Sequence, residues 1–125
     1  MGTKGDRDND MKEKNQNGDS LKLEAGFHEL ENEDDWSTLR TSNESLIILY
    51  SAGWCKPCRK LKPLLHDYIS KKLVILEVDI DRFDELAMEE EVFALPTLQF
   101  YKNGKKVDQI TGYHPEETKT YLDIL

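Results

Sequence analysis

Cysteine and proline are scarce in this chain: two Cys and four Pro among 125 residues. Two cysteines cannot build the multi-bridge framework that holds small secreted domains together. Long apolar runs are missing as well. The longest, Leu46 to Tyr50, is five residues, far short of the roughly 18 needed for a membrane helix. Basic residues are in deficit, 17 Lys and Arg against 25 Asp and Glu, for a net charge of -8. That deficit belongs to residues 23–125, which carry 12 basic and 20 acidic side chains, while residues 1–22 are balanced at five of each. An acidic domain repels a polyanion instead of releasing its counterions, so no nucleic-acid partner is expected. No membrane partner is expected either. Gly2 is followed by Asp6 where a myristoylation signal wants Ser or Thr. The N-terminal stretch is polar and of mixed charge, unlike a secretory or organellar leader, and the expected location is cytoplasmic.

Residues 1–22 contain Gly, Asp, Asn and Lys and little to bury. Such a segment cannot offset its ordering entropy, and a disordered N-terminal extension is expected there, with one domain over residues 23–125. Within that domain the hydrophobic period alternates. A short apolar stretch around Phe27 and Leu30 suggests a first strand. Asn32 before Glu33, Asp34 and Asp35 suggests a capped helix start, with Trp36 and Leu39 as its apolar face. Leu46 to Tyr50 reads as a strand buried on both faces. Leu61, Leu64, Leu65, Tyr68 and Ile69 recur at helical spacing. Leu73 to Val78 is another buried strand, and Phe83, Leu86 and Ala87 mark a further helix. Asn103-Gly104 between Thr97–Tyr101 and Lys106–Thr111 is a hairpin signal. Pro115, Glu116 and Glu117 open a last helix, with Tyr121, Leu122 and Leu125 on one face. The pattern predicts an α/β fold, a central mixed sheet sandwiched by helices.

The chemistry concentrates at Trp54-Cys55-Lys56-Pro57-Cys58. A thiol where a buried strand gives way to a helix meets unpaired backbone N–H groups and the positive end of the helix dipole. Both favour thiolate, the nucleophilic form. Cys58 follows one turn later on the same face, within reach for a disulfide. Pro57 needs no N–H in a first turn and stiffens it. Lys56, Arg59, Lys60 and Lys62 form a basic cluster that further favours the Cys55 thiolate, and with it a more oxidising pair. Two other uses of a C-x-x-C stand beside this one. It can be half of a zinc site, but the chain offers only His28, His66 and His114 to complete it, at no matching spacing. It can also be an inert structural pair.

Residues 23–125 resemble the thioredoxin family. The likeness lies in the motif at Trp54–Cys58, Pro63 five residues on, Val78-Asp79-Ile80-Asp81, Leu95-Pro96-Thr97, Lys102-Asn103-Gly104 and Gly112. It implies a thioredoxin fold and a thiol-disulfide oxidoreductase that reduces protein disulfides and is re-reduced by a thioredoxin reductase or similar donor, with no cofactor and no metal. It implies that Cys55 attacks a target disulfide, that Cys58 releases the mixed disulfide, that Trp54 shields the site, and that Pro96 is cis and faces the sulfurs. Two departures stand out. Lys56 replaces the usual glycine. The family's buried acid, six residues before the first cysteine, falls on Leu49. Glu77 on the neighbouring strand is the candidate substitute, against the alternative of a solvated edge carboxylate. The same departures leave open a binding or adaptor module with restricted or weak redox activity.

Overall fold

The computed structural model describes residues 21–68 and 73–123. Its elements, in chain order, are β1 (Gly26–Glu29), a single 3-10 turn (Glu33–Asp35), α1 (Trp36–Ser42), β2 (Ser45–Ser51), α2 (Lys56–His66), β3 (Val74–Asp79), α3 (Asp84–Glu89), β4 (Thr97–Lys102), β5 (Lys105–Thr111) and α4 (Pro115–Asp123). The five strands form one sheet in the order β1-β3-β2-β4-β5. β3 pairs parallel with both β1 and β2, while β4 runs antiparallel to β2 and β5. This is the mixed, helix-covered sheet the hydrophobic pattern predicts.

β2 lies at the centre, and its side chains show why it reads as continuously apolar. Leu46, Ile48 and Tyr50 point into one core with Trp36 and Leu39 of α1 and Leu86 of α3. Ile47 and Leu49 point into the other, with Leu61 and Leu65 of α2 and Leu122 of α4. Alternation with period two feeds two cores at once, so no position on the strand can be polar without cost. Tyr50 spans its core and donates its hydroxyl to Gln99 Oε1 at 3.0 Å.

Local signals hold where backbone chemistry is specific. Asn32 caps the 3-10 turn by accepting from the Asp34 N–H at 2.9 Å. Asn103 and Gly104 both take positive φ, 52° and 85°, as a two-residue hairpin turn of this twist requires. α2 stops at His66, with Asp67 as its C-cap, earlier than the periodicity through Ile69 suggests; Tyr68 still packs on the core beyond the helix, and Ile69 lies outside the described residues. Most of the expected N-terminal extension, residues 1–20, lies outside them too. Leu21 and Leu23 pack on the first core.

Asn43 is the polar device the pattern does not reveal. Only 3% exposed, it donates to the Leu39 carbonyl at 2.9 Å and accepts from the Leu23 N–H at 2.8 Å. It thus closes the end of α1 and ties down the segment entering β1. Asn43→Ala strands both backbone groups in the interior and is expected to cost about 1–3 kcal/mol, read as a lower urea midpoint with an unchanged slope.

Candidate active site

β2 delivers the chain to the site. After Ser51 the buried Ala52 accepts from the Cys55 N–H at 3.1 Å, closing a tight turn around Gly53 and Trp54. Cys55, in extended conformation, is the N-cap of α2. Its sulfur accepts from the Cys58 N–H at 3.2 Å, so it takes the place that a Ser or Asp oxygen fills at most helix starts. Negative charge on that sulfur is favoured by this donor and by the helix dipole. Pro57 sits in the first turn, where it leaves no donor unpaired. Pro63 lies inside α2, one turn before its end.

Cys55 and Cys58 are joined as a disulfide, with Cα atoms 5.4 Å apart. Both are buried and pack with Ala52, Ile80 and Leu95. They are not equivalent. Cys55 lines a surface groove of about 460 Å³ together with Trp54, Lys56, Pro57, Ile80 and Leu95. Cys58 lies behind it, outside that lining. The Leu95–Pro96 bond is cis, and the Pro96 carbonyl accepts from the Gly112 N–H at 2.7 Å. Trp54 is 65% exposed and is held by its Nε1, which donates to Asp81 Oδ2 at 3.0 Å.

The basic cluster does not act as a unit. Arg59 donates to the Gly53 carbonyl at 2.6 Å and so braces the loop. Lys62 pairs with Glu77 at 2.6 Å. Lys56 and Lys60 are exposed, and of the four only Lys56 lines the groove. Leu49 is fully buried and stands beside Glu77 in the strand register. The Glu77 side chain is 13% exposed, held by Lys62 and by the Ser51 hydroxyl, which donates to it. It is not a freely solvated edge group. In the other core, burial first, then the Glu90 charge, pushes the Tyr50 phenol far upward. The three histidines are dispersed. His28 on β1 contacts the Glu24 carbonyl, His66 stacks on Phe27, and His114 precedes α4.

Sequence reasoning did not assign a site role to Ser51 or Asp81, or to Val92 and Phe93, which also line the groove. Ser51 and Asp81 act through partners remote in sequence. Phe93 had a signal, a large aromatic three residues before Pro96, in the loop that leads into β4.

A paired thiol at a helix N-terminus, one sulfur facing a groove and one behind it, defines a thiol-disulfide oxidoreductase. The comparisons agree. The Thioredoxin family model matches residues 27–123. Thioredoxin of Equus caballus is 42% identical over 87 residues, covering 67% of this chain and 83% of that one. Thioredoxin of Gallus gallus is 39% identical over 90 residues, covering 70% and 86%. Among solved structures, mitochondrial thioredoxin 3 of Saccharomyces cerevisiae in its oxidised form has a TM-score of 0.73 at 29% identity, covering 79% of this chain and 95% of that one. The chain belongs to the thioredoxin family and, with its Cys55–Cys58 pair, has protein-disulfide reductase activity.

Once the pair is reduced, iodoacetamide is expected to label Cys55 well before Cys58, and faster than an ordinary exposed thiol at neutral pH. Mass spectrometry of the alkylated peptides checks the order.

Proposed function

We propose that Cys55 is the attacking thiolate and Cys58 the resolving thiol. The observation that carries this is the asymmetry of the pair: Cys55 caps the helix and lines the groove, with Cys58 behind it. The Cys55 thiolate attacks one sulfur of a substrate disulfide, and the other leaves as a thiolate. Cys58 then loses its proton and attacks the Cys55 sulfur, which releases the second substrate thiolate and closes the Cys55–Cys58 disulfide. Two electrons pass to the substrate, and a partner reductase of the thioredoxin reductase type returns two to the pair. Pro57 keeps the turn rigid, Trp54 covers one side of the reacting sulfur, and cis Pro96 bounds the other. Lys56 favours the charged, reduced pair and raises its potential relative to a neutral residue. The compartment we assign is the cytoplasm, because a working dithiol needs reducing surroundings; cell fractionation distinguishes it from another reducing compartment.

Insulin reduction tests the reading. With dithiothreitol as electron donor, the wild-type protein accelerates turbidity and Cys55→Ser does not. Equal rates with and without the wild-type protein would favour instead an adaptor module, the reading that the apolar Leu49 supports.

Glu77 takes over the proton task that Leu49 cannot perform. Lys62, its ion-pair partner, lies four residues after Cys58 and so one turn along the same helix face. Ser51, its hydrogen-bond donor, precedes Ala52, which packs on Cys58. Glu29 stands beside Glu77 on β1. Through an intervening water, this carboxylate accepts the Cys58 proton as the mixed disulfide resolves. Glu77→Gln is expected to slow resolution by roughly tenfold, with the deficit largest at the acid end, where the Cys58 thiolate is scarcest. A pH profile that superimposes on wild type between about pH 6 and 8 would remove Glu77 from the mechanism.

A further inference from the structure

Among the described residues, five large hydrophobic side chains are exposed: Trp54, Met88, Phe93, Val107 and Tyr113. The three aromatic ones sit on three separate loops, and those loops meet at one end of the sheet. Trp54 follows β2 and Phe93 precedes β4. Tyr113 follows β5, immediately after Gly112, whose positive φ of 91° turns the chain and whose N–H binds Pro96. The pairing of Thr97 with both Tyr50 and Thr111 fixes these loop ends side by side. Phe93 is 83% exposed, yet it lines the same groove as Cys55 and Trp54. An aromatic ring held in water at the mouth of a reactive groove offers contact area at little entropic cost.

We propose that Phe93 and Tyr113 are specificity-determining residues, which select disulfides whose half-cystine lies in an extended protein segment beside a large apolar side chain. The proposal rests on the assignment of Cys55 as the attacking thiolate. The occupant follows from position and lining. The groove opens at the sulfur that a protein disulfide must reach. Its walls beyond Cys55 are Trp54, Ile80, Val92, Phe93 and Leu95, with Lys56 the charged exception. A small polar disulfide has no apolar side chain to place on Phe93 or Tyr113, whereas a peptide strand that enters the groove brings its neighbouring side chains to Phe93 in the lining and towards Tyr113, which follows the Gly112 that binds Pro96. Contacts of this kind concentrate binding energy on a few aromatic anchors.

The test uses the full chain and three substrates: two disulfide-linked peptides that differ only in Leu or Ser next to the half-cystine, and hydroxyethyl disulfide. The wild-type protein is expected to prefer the Leu peptide by about tenfold in kcat/KM, carried mostly by KM. The Phe93→Ser, Tyr113→Ser double variant is expected to lose that preference while reducing hydroxyethyl disulfide at the wild-type rate, with the potential of the pair unchanged. Neither side chain belongs to a core cluster, and an unchanged melting temperature identifies a folded variant; the Phe93→Ser single variant serves if the double variant melts early. A Leu preference that survives substitution, or an equal loss on hydroxyethyl disulfide, would overturn the assignment. A wild-type protein inactive on all three substrates would instead sink the thiol chemistry beneath it.

Discussion

The sulfur of Cys55 does two jobs with one lone-pair surface. It satisfies a backbone donor at the first turn of α2, and it is the atom that faces the groove. The helix start and the reactive group are therefore a single device, and everything around them holds it still. β2 is anchored in two cores and ends at Ser51; Ala52 closes the turn; Arg59 grips the Gly53 carbonyl from inside the helix. Because a cap interaction strengthens with the negative charge of its acceptor, the same geometry that starts the helix also favours the charged form of the sulfur.

The Glu77 carboxylate illustrates how a fold keeps a charge next to a buried apolar strand. At Leu49 the central strand is apolar and fully enclosed. The charge sits instead one strand away, on Glu77, accompanied by a cation from α2 and a hydroxyl from the end of β2. An ionised group so placed is partly hydrated and paired, which avoids the heavy penalty of an isolated charge in the core. The apolar residue on β2 packs with Leu61 and Leu65, while the polar cluster sits on the neighbouring strand.

Much of this architecture was legible in the residue order. Leu46 to Tyr50 announced a doubly covered strand because both faces of β2 meet a core. Asn103-Gly104 announced its turn because both residues must take positive φ. The thiol pair stood out because its spacing, its proline and its place after a buried strand all converge. What stayed hidden depends on partners distant along the chain. Nothing near Asn43 signals that it binds residues 20 positions earlier. Nothing near Trp54 signals Asp81. The basic cluster from Lys56 to Lys62 looks collective in sequence, yet once wound into a helix Arg59 binds the Gly53 carbonyl, Lys62 pairs with Glu77 and Lys56 lines the groove.

The Asn43 tie has a geometric consequence. It fixes Leu21 and Leu23 where β2 begins, while the disulfide lies where β2 ends, a strand length of about 20 Å away. Leu21 is thus anchored at the pole remote from the sulfurs, and the tie that holds it makes no demand on the reactive face.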